Sequence, residues 1–257
     1  METGMIDIHS HILPALDDGA RDMGQTLRMI KQAELQGVTT LIATPHHANG
    51  TFINESAVIR RTVDEVNRQL QERGMTVKVL PGQEVRWFGR LMKDLENGKL
   101  VTLADSRYLL LEFPSSYVPA AARQTISSLL AANYIPIIAH PERNRAIFQQ
   151  PSLLYDLIRE GALSQVTSHS ITGLFGKKIQ KFTVDLCRKH CAHFIASDAH
   201  HETGRCLNLP TAYEYIGEHL GADYVEGFIS RASLVVQNLN IETVEPIRPA
   251  RKWFGIF

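Results

Sequence analysis

The stretch Met5–Gly19, MIDIHSHILPALDDG, holds the key to the chain. Its first four residues, Met5–Ile8, read as a short buried strand that ends in His9 and His11. Side chains two apart on a strand share a face, so the two imidazoles stand side by side where the strand gives out. Protonated together they repel; both neutral, they can share a cation. Asp17 and Asp18, in the DDG turn that follows, add carboxylates within reach. Taken alone, the pair also fits two loop histidines on the surface, so the rest of the chain decides.

Working outward, the same pattern recurs. Apolar runs stand at Val38–Ala43, Val77–Leu80, Tyr108–Leu111, Ile135–Ala139, Leu163–Val166 and Phe194–Ala196. Stretches of helical period separate most of them: Gln25–Gln36, Ser56–Glu72, Ala120–Asn133, Ser152–Glu160 and Lys177–His190. Gly37, Gly74 and Gly161 sit where helices would end, just before the next run. Successive runs begin about 30 residues apart, the length of a strand–helix unit in a parallel sheet. The runs are continuously apolar rather than alternating, as expected when both faces of a sheet are covered. Seven such units predict a single-domain α/β fold, a distorted (β/α)7 barrel. An open doubly wound sheet is the alternative. Residues after Pro210 read as helical and packed on the outside, and the expected division is a barrel over 5–245 with a basic, aromatic tail over 246–257.

Composition narrows the function. The chain has 257 residues, 44% hydrophobic and 21% charged, with 27 basic against 27 acidic residues, a balance that argues against nucleic acid as the main partner. No apolar run is long enough to cross a bilayer, and METGMID lacks the basic-then-apolar pattern of a secretory signal. Cys187, Cys191 and Cys206 make no disulfide framework, so a reduced, cytoplasmic protein is expected.

In parallel α/β folds the chemistry gathers at the carboxyl ends of the strands. Read in order, those ends carry His9 and His11 with Asp18, then His46, Glu84, Glu112, His140, and finally Asp198 with His200. One such residue after a strand is an ordinary loop residue; six of seven strand ends is a metal cluster. So many nitrogen and oxygen ligands exceed one ion's needs, and two or three ions bridged by a carboxylate such as Glu84 are the natural count. A ligand set without thiolate suits Mn, Fe, Zn or Co. His47, His169 and His201 border this set as solvated or supporting residues, and His190 and His219 read as surface residues. The run CRKHCAHF does not bring Cys187, His190, Cys191 and His193 together as a zinc site. A cysteine phosphatase is excluded, because the positions six beyond the cysteines hold His193, Ser197 and Ala212. Arg143 and Arg205 lie just beyond ligand positions, where guanidinium forks match phosphate oxygens; Arg86 and Arg145 are weaker candidates. Metal ions with two arginines over one pocket point to phosphate-ester hydrolysis.

The motifs DIHSH, DDG, TPHH, GQE, LEF, AHPERN and SDAH, in this order, resemble the PHP (polymerase and histidinol phosphatase) superfamily. More narrowly, the chain is similar from Met5 onward to the metal-dependent protein-tyrosine phosphatases of bacterial capsule and exopolysaccharide operons, the CpsB/YwqE-like type. The resemblance implies a PHP-type barrel with a trinuclear, manganese-activated site. One ion would take His9, His11, Glu84 and Asp198; a second would share Glu84 with Glu112 and His140; a third would take Asp18, His46 and His200. Arg143 and Arg205 would hold the phosphoryl group, with Asp198 or His200 as candidates to assist the leaving oxygen. The implied substrate and partner is a phosphotyrosine-bearing bacterial tyrosine kinase. A small-molecule phosphoesterase of the histidinol-phosphatase type and a non-catalytic binding module are the other readings. The tail residues Trp253, Phe254 and Phe257, beside Arg251 and Lys252, suit packing on the barrel or on a second subunit, or contact with an anionic membrane surface.

Overall fold

The computed structural model describes residues 4–249; Trp253, Phe254 and Phe257 of the expected tail lie outside the described residues. Nine short strands are present among the described residues: β1 (Met5–Ser10), β2 (Val38–Ala43), β3 (His46–His47), β4 (Lys78–Pro81), β5 (Glu84–Arg86), β6 (Tyr108–Glu112), β7 (Ile135–Ala139), β8 (Leu163–Thr167) and β9 (Phe194–Ala196). All pairings are parallel, in one sheet ordered β1-β2-β4 and another ordered β3-β5-β6-β7-β8-β9. The fold is thus α/β with parallel sheets, and helices connect the strands.

Nine strands replace the seven expected because the second and third units are each broken in two. Pro45, which has no N–H to give a ladder, follows the end of β2, and the chain resumes as β3. The parallel break between β4 and β5 falls at Gly82, where a Cβ would lie 2.6 Å from Ile42 Cγ2. Only glycine permits that approach. The two jogs together move β3 and β5 into the second sheet, where His46 pairs in register with Glu84.

The two sheets do not form one continuous ladder. At the far edge, an isolated parallel bridge joins Ser10 to Ala199. Asp198 N–H donates to His9 O and His11 N–H to Ala199 O, each at 2.8 Å. The last strand unit therefore ends beside the first.

β1 also departs from simple alternation. Asp7 pairs with Leu41 and Ser10 with Ala43, so Ile8 and His9 together oppose Ile42 alone. That two-against-one count is a β-bulge, a device that re-aims side chains. It lets Ile8 join the cluster enclosed by the strands, with Ile42, Leu110, Ile137 and Phe194, while His9 turns into the site. Ala232 and Val235 of the helix Ala222–Val236 belong to the same cluster, and they cover the end of the sheet away from the site. A larger apolar layer lies between sheet and helices. The helix Ser56–Glu72, for example, buries Ile59, Val63, Val66 and Leu70 there, one face at helical spacing.

The C-terminal segment is tied across the molecule. Arg107 donates to Asn238 and Asn240, Tyr108 OH donates to Leu239 O at 2.6 Å, and Ile247 N–H donates to Lys189 O at 2.9 Å.

Candidate active site

The strand ends bring His9, His11, Asp18, His46, Glu84, Glu112, His140, Asp198 and His200 to one end of the sheets. Ligand atoms converge there in three groups: His11, Asp18, His46 and His200; His9, His11 and Glu84; and His46, Glu84 and Glu112. His9 Nε2 and His11 Nε2 are 3.1 Å apart, and both lie 3.2–3.5 Å from Glu84 Oε2 and Asp198 Oδ1. His140 Nε2 reaches the other oxygen of Glu84, Oε1, at 2.7 Å. The grouping differs in three places from the one implied by resemblance, the first being that Asp198 is not part of the His9–His11–Glu84 group. His11 adjoins the Asp18–His46–His200 group, and His46 rather than His140 stands with Glu84 and Glu112.

Donor chemistry tests whether metal ions fit. His9 Nδ1 is 2.8 Å from Gln165 Oε1, and His11 Nδ1 is 2.6 Å from Asp17 Oδ2. Both oxygens accept, so a ring proton sits on each Nδ1, and with an ion bound each Nε2 would turn a lone pair inward. Metal-binding histidines are held in this way. His46 Nδ1 and Glu84 Oε2 face each other at 2.8 Å, yet neither buried atom has an aligned hydrogen-bond partner. Two such atoms are costly to bury unless a cation completes them. The residues present fit divalent ions.

The arginines adjoin this cluster. Arg143 Nη1 and Arg205 Nη2 both donate to the same oxygen, Asp198 Oδ2. Arg86 does something else: its Nε and Nη2 form a fork on Glu112 at 2.7 and 2.9 Å, so it fixes a carboxylate of the cluster. Arg145 is exposed at the start of the helix Arg145–Gln149. The cysteines take no part in the three converging groups, and Cys187 and Cys191 are buried.

Comparison with known proteins completes the picture. The family described as capsular polysaccharide synthesis, CpsB/CapC, matches residues 5–237. The chain belongs to that family. Among its relatives, this CpsB/CapC member is 43% identical over 255 residues to tyrosine-protein phosphatase YwqE of Bacillus subtilis, covering 98% of this chain and 100% of the relative. It is 37% identical over 256 residues to the putative tyrosine-protein phosphatase CapC of Staphylococcus aureus, with the same coverage. The crystal structure of YwqE, described with CpsB of Streptococcus pneumoniae as unique metal-dependent tyrosine phosphatases, superposes with a TM-score of 0.94 at 42% identity. That match covers 96% of this chain and 100% of that one. A phosphotriesterase homology protein from Escherichia coli is similar in fold alone, with a TM-score of 0.53 at 10% identity over 90% of this chain and 98% of that one.

Two residues of the CpsB/CapC-family site, Gln165 and Asp7, escaped selection from sequence, and a third, Asp17, was read only as a carboxylate within reach of the histidine pair. Asp17 receives His11 Nδ1 and also the N–H groups of His46 (3.0 Å) and Gly19 (2.9 Å), so it fixes two candidate ligands at once. Gln165 orients His9 from β8, whose strand end alone carried no ligand-type residue. Its signal was available: Ser164, Gln165 and Thr167 are polar residues in a fully buried strand. Asp7 accepts from the N–H groups of His9 and Ser197, tying the two strands that carry His9 and Asp198. Burial pushes its carboxyl up to about 6. Asp17→Asn is expected to weaken metal binding by roughly 10- to 100-fold, the usual size for an orienting partner, while folding persists. Titrating divalent ions into chelated protein checks this; unchanged affinity would remove Asp17 from the site.

Backbone geometry marks the same place. His140 and Asp198 adopt positive φ, 30° and 51°, the left-handed region that non-glycine residues seldom occupy.

Charge is tightly coupled in this CpsB/CapC-family site. Burial disfavours charge on Glu84, but His46 and His9 outweigh it and hold the carboxyl well below its usual range. Asp198 is likewise held well below, by His9, His11 and both guanidiniums against burial. Burial also opposes charge on His9, His11 and His46, yet Glu84 and Asp198 around His9, Asp17 against His11, and Glu84 against His46 raise all three. His200 goes the other way: burial and repulsion from His11 push it down to about 4. Burial and the nearby Glu84 raise Glu112.

These directions set a pH dependence for the chelated protein. A histidine raised above its ordinary value of 6.5 contributes stability that is complete below that value and lost as pH rises through the higher folded value. The depressed carboxylates remain ionised throughout that range, and His200 is already neutral. The melting temperature of the chelated protein should therefore fall as pH rises above about 6.5, and bound metal should flatten the fall. A chelated protein whose melting temperature rises with pH in that window would contradict the charge assignment.

Proposed function

We propose that this chain is a metal-dependent protein-tyrosine phosphatase that removes phosphate from tyrosine on protein. Its substrates would be a bacterial tyrosine kinase, through the phosphotyrosines of its tail, and that kinase's targets in capsule or exopolysaccharide synthesis. The single observation that carries the reading is the convergence of Arg143 and Arg205 on one oxygen of Asp198, beside the histidine–carboxylate cluster. Membership of the CpsB/CapC family and the activity named for its YwqE relative agree with it.

In this reading His9, His11, Asp18, His46, Glu84, Glu112, His140, Asp198 and His200 hold two to three divalent ions, manganese first among Mn, Fe, Zn and Co. Residues 5–245 form the catalytic unit, a distorted (β/α)7 barrel of PHP type with 246–257 as its tail, and the protein works in the cytoplasm. Bound ions supply Lewis acidity at the phosphoryl oxygens and a deprotonated water near neutral pH.

The chain's own residues do the rest. Arg143 and Arg205 present guanidinium donors to the equatorial phosphoryl oxygens, where charge develops. Gln165 and Asp17 keep His9 and His11 in the tautomer that faces the cluster. Asp198 stays ionised under two guanidiniums and His200 stays neutral, with Nδ1 given to the Asp198 carbonyl at 3.0 Å. Neither is placed to donate a proton to the leaving group. A tyrosyl oxygen, with a pKa of about 10, leaves with far less protonation than an alkoxide needs.

The test is phosphate release from a phosphotyrosine peptide, with histidinol phosphate alongside, in Mn²⁺ and after chelation. Chelator-sensitive release that favours the peptide is the expected result. A preference for histidinol phosphate would move the function to small-molecule metabolism, and no release from either with metal bound would leave a binding module.

A further inference from the structure

The turn Gly173-Leu-Phe-Gly176 follows the short helix Ser168–Thr172 at the carboxyl end of β8, and its glycines take positive φ, 90° and 91°. Left-handed glycines at both ends let two apolar residues reverse direction in a tight space. The turn treats those residues oppositely. Leu174 is 52% exposed, whereas the ring of Phe175 lies under the guanidinium of Arg143, with Cζ 5.2 Å from the ring centroid. Were the turn held by the hydrophobic effect alone, Leu174 would be no less suited to burial. Instead an aromatic face is placed on a cation, within the distance at which the ring quadrupole attracts it.

A second contact leads from the same ring to the other arginine. Phe175 meets His169 edge to face at 6.4 Å and 76°. The Nε2–H of His169 donates to Cys206 O at 2.7 Å, next to Arg205, and Asn208 Nδ2 approaches Nδ1 at 3.2 Å. That pairing fixes the His169 tautomer and ties the loop bearing Arg205 to the helix that precedes the turn.

We propose that Phe175 is a positioning residue for phosphoester recognition: it seats the plane of Arg143 so that its free donors meet a phosphoryl group already oriented. The proposal rests on the phosphate role given above to Arg143. A guanidinium on a long side chain otherwise loses rotamer freedom on binding, and a preformed stack removes much of that cost beforehand. The ring meets Arg143 and His169, so its influence reaches the site through Arg143 directly and through the loop bearing Arg205 at one remove.

The experiment compares Phe175→Leu, Phe175→Tyr and Arg143→Ala in the metal-loaded enzyme. It reads bound metal, kcat and KM for a phosphotyrosine peptide, and competitive inhibition by inorganic phosphate. Phe175→Leu keeps the apolar bulk and removes the π face. It should raise KM and the inhibition constant for phosphate by roughly 3- to 30-fold, the range of a partly desolvated cation–π contact, with metal content unchanged. Phe175→Tyr should restore both. If leucine serves as well as phenylalanine, or tyrosine as poorly as leucine, the contact is packing and the proposal is wrong. Arg143→Ala separates the two claims. Weakened phosphate inhibition there with normal Phe175→Leu overturns the seat alone, whereas unchanged inhibition in Arg143→Ala overturns the phosphate role beneath it.

Discussion

Glu84→Gln should strip the protein of most of its metal and lower phosphotyrosine turnover to that of the chelated enzyme, a loss of about 10³-fold or more given the several kcal/mol that metal ions contribute to such a transition state. The side chain is fully buried, and its two oxygens face His9, His11 and His46 on one side and His140 on the other. Glutamine keeps the shape and removes the charge. Two of the three converging groups lose a carboxylate at once, since Glu84 belongs to both, and the His9–His11 group is left with none. In the chelated protein the same change leaves buried cationic imidazoles without their main counter-charge, a loss of about 3–5 kcal/mol when one partner of a buried pair is removed. His9 and His46 then titrate lower, and the alkaline fall in melting temperature shrinks. Elemental analysis and melting curves in parallel check both halves. Unaltered metal content would sink the shared-ligand assignment of Glu84.

The second large effect belongs to the arginines. Arg143→Ala and Arg205→Ala should each lower kcat/KM by about 10²-fold with metal content intact, the usual loss when one donor to developing charge is removed. Both guanidiniums address Asp198 Oδ2, so the double variant should lose less than the product of the singles. Lysine at either position should rescue poorly, because an ammonium cannot reproduce the planar fork. Full turnover in both alanine variants would reduce the arginines to anchors of a buried carboxylate.

Much of this site was legible in the chain because strands are short and parallel, so each ligand-type residue follows an apolar run whose end can be read. His9, His46, Glu84 and Asp198 were found in that way. What sequence could not provide was how neighbouring units meet. The break at Gly82 depends on a close approach to Ile42, a contact between units distant in sequence. The bulge at Ile8 and His9 is a register relation with Leu41 and Ala43. Gln165 was missed because a buried amide resembles an ordinary polar strand residue until the imidazole it holds is placed. Arg86 was misjudged for a related reason: a loop guanidinium and one locked on Glu112 look alike in a string of letters.

The bulge in β1 also separates two inheritances that a regular strand would bind together. With strict alternation, a residue that plugs the interior and a residue that serves the chemistry would compete for the same inward positions. Here neighbours share the duty, Ile8 filling and His9 binding. A lineage could therefore exchange Ile8, Ile42 or Phe194 for other apolar residues, and adjust to heat or cold, without moving an imidazole. Deleting either Ile8 or His9 would restore strict alternation, leaving one residue to face Ile42 where two now divide the work.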